Sequence, residues 1–177
     1  QQYNEGIVSI HGASDANTVH DLEFEGLTLA YTNSPGSGFL VYDAERIGIR
    51  GNRVHDVGGN GVAMHGASRD CVVAGNLMHD VGRDAVNLYG EAAIGFPRGN
   101  LVTNNHLHHV GRIRGDNNGI TVVRSADNVV SHNLIHDSPR EGIGVFGSLS
   151  REGAPVQNTT GNIIAYNDIS RTMTDSQ

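Results

Sequence analysis

Three segments that open on an asparagine set a histidine directly before an aspartate, "NRVHDV" at 52–57, "NLMHDV" at 76–81 and "NLIHDS" at 133–138, with "NHLHHV" at 105–110 as a fourth variant. An imidazole beside a carboxylate can orient a general base or serve as a metal ligand. A catalytic centre, however, needs one such pair, and this one recurs along the chain. Three carboxylates stand apart from that pattern: Asp116 in "GRIRGDNNG", Glu141 in "PREG" and Asp175 in "TMTDSQ". Paired carboxylates are the apparatus of glycoside hydrolysis, one protonating the leaving oxygen and the other serving as nucleophile or base. Cys71, the one cysteine, lies in "RDCVVAGN" among apolar residues with nothing nearby to hold a thiolate, which marks it as packed and inert.

The elements that must carry these groups follow from a repeat. Placing Asn52, Asn76, Asn105, Asn133 and Asn167 in register gives intervals of 24, 29, 28 and 34 residues, the longer ones holding insertions such as "GEAAIGFPRG" and "SLSREGAPVQNTT". Three residues before each asparagine stands Ile49, Val73, Val102, Val130 or Ile164; two residues after it stands Val54, Met78, Leu107, Ile135 or Ile169. Further apolar alternations follow at "GVAMHG", "AVNLYG", "GITVV" and "GIGVFG". Period-two alternation in three short runs per unit, with no helical stretch, predicts one triangular coil of a parallel β-solenoid. "VSIHG", "VHDLEFEGLTLAYT" and "FLVYDA" extend the pattern toward the N-terminus, for about six coils of three strands. A hexapeptide solenoid has a shorter repeat, and a leucine-rich repeat has a denser leucine frame.

In such a coil the asparagines stack at about 4.8 Å. Each amide can then donate to one neighbour and accept from the other, an internal ladder at a sharp bend. The histidine three residues on falls on the outward face. His55, His79, His108 and His136, with Asp56, Asp80 and Asp137 beside three of them, therefore read as a surface ladder and no metal is assigned.

Composition narrows the partners. The 177 residues suffice for one domain, expected to span 1–177, and carry a formal charge of −7 with no basic stripe, which argues against nucleic acid and anionic membrane partners. No apolar run approaches the roughly 20 residues of a membrane span. The chain opens without a leader and stops where another strand is due, so an excerpt of a longer solenoid, or ends covered by missing segments or another subunit, is expected.

The segments "NNHLHHVGRIRGDNNGITVV", "HNLIHDSPREGI", "YNDISRTMTDS" and "DLEFEGLTLAYTNSP" resemble the repeats of right-handed parallel β-helix proteins of the pectin lyase-like superfamily. They are most similar to the β-helix glycoside hydrolases with fucosidase, xylanase and xylosidase members. The resemblance implies a polysaccharide or oligosaccharide substrate lying along the helix axis, a secreted or periplasmic protein, and hydrolysis by Asp116, Glu141 and Asp175 without a cofactor. Pectate lyases, alginate lyases and mannuronan epimerases share this repeat grammar, so a lyase or C5-epimerase acting on uronate polymers, with Ca²⁺ or another cation, is the alternative; a non-catalytic carbohydrate-binding scaffold is the third reading. No compact calcium loop is present in the sequence. The outward positions of the third strand column are His11, Tyr42, His65, Tyr89, Val123 and Phe146, five of them rings suited to sugar faces. Binding residues are expected at Tyr42, His65, Asn87, Tyr89, Arg124, Arg140 and Phe146. Asp116 and Glu141, taken as one coil apart, would sit near the roughly 5 to 5.5 Å separation of a retaining enzyme.

Overall fold

The computed structural model describes residues 5–33, 35–91, 94–147 and 159–173. The strands follow one another in threes. The first rung is β1 (Gly6–His11), β2 (Val19–Glu25) and β3 (Thr28–Ala30), and the second is β4 (Ser37–Tyr42), β5 (Ala44–Arg50) and β6 (Arg53–Val57). The third holds β7 (Val62–His65), β8 (Val72–Ala74) and β9 (Leu77–Val81), and the fourth β10 (Val86–Tyr89), β11 (Leu101–Thr103) and β12 (His106–His108). The last two are β13 (Ile120–Val123), β14 (Val129–Ser131) and β15 (Leu134–Ser138), then β16 (Ile143–Phe146), β17 (Ile163–Ala165) and β18 (Asp168–Thr172).

Every third strand pairs in parallel, giving three six-stranded sheets: β1-β4-β7-β10-β13-β16, β2-β5-β8-β11-β14-β17 and β3-β6-β9-β12-β15-β18. This is the predicted triangular solenoid of six three-strand rungs. The core is a set of aliphatic columns. Val41, Met64, Leu88 and Val122 point inward from the first sheet; Ile49, Val73, Val102 and Val130 from the second; Val54, Met78, Leu107 and Ile135 from the third. All twelve are fully buried, each stabilising the coil by about 1.5–3 kcal/mol relative to exposure.

The bends are set by backbone chemistry. Between the second and third sheets the chain passes through a left-handed residue, Gly51 (φ 59°), Gly75 (66°), Asn104 (54°) or His132 (55°), and then the ladder asparagine. The predicted ladder is present. The Nδ2 of Asn52 donates to Asn76 Oδ1 at 3.1 Å, Asn76 to Asn105 at 2.9 Å, Asn105 to Asn133 at 2.9 Å and Asn133 to Asn167 at 2.9 Å. Each Oδ1 also accepts the main-chain N–H of the preceding ladder residue. A second ladder, Asn100, Asn128 and Asn162, occupies the bend between the first and second sheets. Buried polar groups at both corners are thus paired within the protein.

Candidate functional site

The third corner, where each coil enters the first sheet, carries the unusual chemistry. The stack here runs Ser37, Asn60, Asp84, Asn118 and Glu141. Asn60 N–H donates to Ser37 Oγ at 3.1 Å, Asp84 N–H to Asn60 Oδ1 at 3.1 Å, Asn118 N–H to Asp84 Oδ1 at 2.7 Å and Glu141 N–H to Asn118 Oδ1 at 3.2 Å. Two rungs of this stack therefore carry a carboxylate, Asp84 in its buried middle and Glu141, less buried, at its last described rung. Asp84 is only 5% exposed. Burial pushes its carboxyl above the usual range, against the pull of Asn118 N–H, Asn87 and Thr121.

From Asp84 a chain of contacts leads to the outward face of the first sheet. Asn87 Nδ2 donates to Asp84 Oδ2 at 2.7 Å, and Asn87 Oδ1 lies 3.3 Å from His65 Nε2. Because Asp84 takes the Asn87 NH₂, the amide oxygen must face His65, so His65 Nε2 carries the hydrogen and Nδ1 keeps the lone pair. Burial depresses the His65 pKa, with the Asn87 bond opposing that shift. The imidazole is therefore neutral at pH 7. The Tyr89 ring lies edge-on to it, with centroids 5.7 Å apart at 60°. These groups line a cavity of about 220 Å³ together with Asn60, Arg83 and Asn117. Arg83 Nε is buried with no hydrogen-bond partner among the described residues.

The outward column expected from the sequence is in register, with Val123 interrupting its rings between Tyr89 and Phe146. The register pairs His11 with Tyr42, Tyr42 with His65, His65 with Tyr89, Tyr89 with Val123 and Val123 with Phe146. His11 and Tyr42 are stacked at 5.7 Å and 13° and line a larger cavity, about 610 Å³, with Asp15, Asp43 and Ile94. Tyr42, His65, Asn87 and Tyr89 thus share one face.

Of the carboxylates singled out from the sequence, Asp116 and Glu141 are not among the residues that line the 220 Å³ cavity. Glu141 is in ladder register with Asn118, not Asp116, because Asp116 sits two residues earlier in an exposed loop. The one-coil equivalence of Asp116 and Glu141 therefore does not hold. Glu141 Oε2 is 3.5 Å from Arg140 Nε, and Arg140 NH1 lies 3.5 Å from the Asp116 carbonyl oxygen. Asp175 is outside the described residues. Arg124 directly follows Val123, the register partner of Tyr89, in a left-handed conformation (φ 44°). Asp84, visible in "GRDA" as a loop charge, belongs with the site; its signal was the shared position before a strand in "NG", "DA", "NG" and "EG".

The His-Asp pairs of the repeat at 55–56, 79–80 and 136–137 lie on the third sheet, away from this face. His55, His79, His108 and His136 stack with centroids 5.2, 5.0 and 5.0 Å apart and planes within 4°. Nδ1 of His55, His79 and His136 meets the following aspartate at 2.8, 2.8 and 2.7 Å. Burial and the adjacent imidazoles push His108 down to about 4. Among the described residues, no three or more His, Cys, Asp or Glu side chains are grouped to enclose a metal ion, and no helix is long and apolar enough to cross a membrane.

Three parallel sheets stacked rung on rung, closed by amide ladders, define a three-sided parallel β-solenoid with a ring-lined face. The chain matches the family model "Right handed beta helix region" over residues 3–160 and belongs to that family. No curated protein sequence matches it. Among solved structures, it is similar to an alginate lyase from Paenibacillus sp. str. FPU-7, with TM-score 0.63 and 17% identity over 93% of this chain and 53% of that one. It is also similar to a tailspike protein mutant of E. coli bacteriophage HK620 in complex with a pentasaccharide, with TM-score 0.61 and 16% identity over 95% of this chain and 30% of that one. A third is the A-module of the Azotobacter vinelandii mannuronan C-5 epimerase AlgE6, with TM-score 0.53 and 13% identity over 95% of this chain and 64% of that one. All three likenesses are of fold, and this chain spans less than two thirds of each.

Proposed function

We propose that this chain acts on a uronate-containing polysaccharide by removing the proton at C5, leading to elimination or epimerisation, outside the cytoplasm where such polymers occur. The observation that carries this reading is the relay Asp84–Asn87–His65, which holds a half-buried neutral imidazole as a base in the same cavity as the Tyr89 phenol and the Arg83 guanidinium. Proton abstraction beside a carboxylate needs three groups: a base, a partner for the uronate carboxylate and a proton donor. His65 Nδ1 takes the C5 proton. Arg83, whose Nε is unpartnered, and Asn117 face the uronate carboxylate and stabilise the charge that develops on it. In elimination the C5–H electron pair becomes the C4–C5 double bond, the C4–O bond breaks, and the departing oxygen takes the Tyr89 proton. In epimerisation a proton returns to C5 from the other face and no bond in the chain is cut. The resemblance of the fold to an alginate lyase and a mannuronan epimerase supports the choice of uronate.

A second reading rests on one further observation. Asp84 and Glu141 belong to the same corner stack with Asn118 between them, two rungs or about 9.6 Å apart at the usual strand spacing. That is close to the roughly 6.5–9.5 Å of an inverting glycoside hydrolase, with the raised Asp84 carboxyl as acid. Product analysis on alginate, polymannuronate, polygalacturonate and neutral xylan separates the two. Unsaturated ends absorbing in the ultraviolet, or C5 deuterium incorporation from D₂O, are expected on a uronate polymer. Saturated reducing ends without C5 exchange would replace the first reading by the second, and binding without any product would leave a carbohydrate-binding scaffold.

A further inference from the structure

The histidine array on the third sheet changes character at one place. The strand positions two residues before the stacked histidines are Arg53, Leu77, His106 and Leu134, so among these rungs one alone sets a second imidazole beside the stack. That imidazole reaches diagonally to the next rung: His106 Nε2 lies 2.8 Å from His136 Nε2. The ring planes are tilted 52°, with centroids 5.0 Å apart. No such pair forms at His79, whose Nε2 is 3.2 Å from Arg53 NH2.

The His136 ring is already polarised for coordination. Its Nδ1 is bonded to Asp137 Oδ2 at 2.7 Å, and that carboxylate is clasped by Arg171 through Nε at 2.7 Å and NH2 at 3.0 Å. A carboxylate on the far nitrogen places the hydrogen on Nδ1, directs the Nε2 lone pair outward and raises its basicity, the arrangement that supports ligating histidines. Without a metal, the His106 Nε2–H donates into that lone pair. Two nitrogens bound at about 2.0–2.1 Å and at right angles to each other are about 2.9 Å apart, whereas tetrahedral ligands are about 3.4 Å apart. The 2.8 Å separation is that of an N–H···N hydrogen bond, and it is nearer to the right-angled edge than to the tetrahedral one, so the two rings need only turn their Nε2 lone pairs toward a common ion.

We propose that His106 Nε2 and His136 Nε2 form an open two-imidazole edge that binds one tetragonal divalent transition ion, Cu²⁺ in preference to Zn²⁺, with Asp137 as the outer carboxylate. The His106 hydrogen moves from Nε2 to Nδ1 as the ion enters, so both nitrogens present lone pairs and no charge is lost. Because no third side chain among the described residues encloses the ion, water fills the remaining positions and the ion exchanges freely. The edge lies on β12 and β15 of the third sheet, not on the first sheet with His65, so it stands or falls independently of the reading above.

The test is titration of the metal-free full chain with CuCl₂ and with ZnCl₂ by calorimetry, together with electron paramagnetic resonance of the copper form. One Cu²⁺ per chain, a tetragonal spectrum with two imidazole nitrogens, and weaker Zn²⁺ binding are expected. His106→Gln and His136→Gln should each weaken Cu²⁺ binding at least tenfold, Asp137→Asn about tenfold, and His55→Gln less than twofold, with circular dichroism reporting that each variant is folded. Absence of Cu²⁺ binding, Zn²⁺ bound as tightly as Cu²⁺, or affinity retained in both histidine variants would overturn the proposal. The wild-type spectrum decides the ligand count even where a variant does not fold.

Discussion

Asp84 Oδ2 accepts a hydrogen bond from Asn87 Nδ2 at 2.7 Å, and this contact decides which end of the Asn87 amide faces His65. In Asp84→Asn the new amide keeps its oxygen on the Asn118 N–H and turns its NH₂ toward Asn87. Asn87 must then flip, present its own NH₂ to His65 and drive the imidazole into the other tautomer. The base lone pair moves to the wrong nitrogen. On a uronate polymer turned over by the wild type, kcat should fall about 10²-fold or more, while the melting temperature stays within a few degrees because Asn60 and Asn118 already hold this ladder position. Activity unchanged in Asp84→Asn would remove Asp84 from the site.

Ladder stability should peak in the middle of the stack. Asn105 accepts from Asn76 N–H and Nδ2, and donates to Val73 O and Asn133 Oδ1, all at 2.9–3.0 Å. Asn105→Ala leaves several of these groups buried and unpaired, at about 3 kcal/mol or more. The half-buried Asn167 sits at the last described rung, and Asn167→Ala should cost about half as much. Urea unfolding of the two variants checks the difference; equal costs would argue against a cooperative ladder.

Gly119 opens β13 at the third corner, where a Cβ would overlap Ile135 Cγ2 and lie 2.6 Å from the Gly142 carbonyl oxygen. Both neighbours belong to packed strands or bends. Gly119→Ala should therefore cost about 2–3 kcal/mol, measured as a lowered urea midpoint with unchanged slope.

Asp84, which is buried, and His65, which is half-buried, pull stability in opposite directions with pH. His65 has a lowered folded pKa, so its contribution is full above about 6.5 and is lost as pH falls from there through the folded value. Asp84 has a raised folded pKa, so its contribution is full below about 3.9 and is lost as pH rises through the folded value. His65→Gln should flatten the acid-side decline in melting temperature, and Asp84→Asn should flatten the loss on raising pH above about 4. A pH profile indistinguishable from wild type in both variants would contradict these assignments.

The fold was legible because its repeating parts are chemical necessities. Ile49, Val73, Val102 and Val130 must all face one core, and the Asn52 to Asn167 column must satisfy the same bend in every coil, so period and register appear directly in the residues. The other two ladders were less visible: Asn100, Asn128 and Asn162 span three rungs, with Cys71 in the same position one rung earlier, and the third stack mixes Ser37, Asn60, Asp84, Asn118 and Glu141. Much of the site was hidden there. Asp84 looks like any loop carboxylate until the register buries it, and counting from the nearest glycine set Asp116 rather than Asn118 opposite Glu141. Tyr42, His65, Asn87 and Tyr89 were recoverable because alternation along a strand fixes which side chains face outward.

The central claim is that His65 removes the C5 proton of a uronate, and loss of label from C5-deuterated polymannuronate to solvent tests it most directly. The account predicts that the wild-type chain releases deuterium to water, and that His65→Gln, folded by circular dichroism, releases none. Chain cleavage with the C5 label retained, or label release undiminished in His65→Gln, would contradict it.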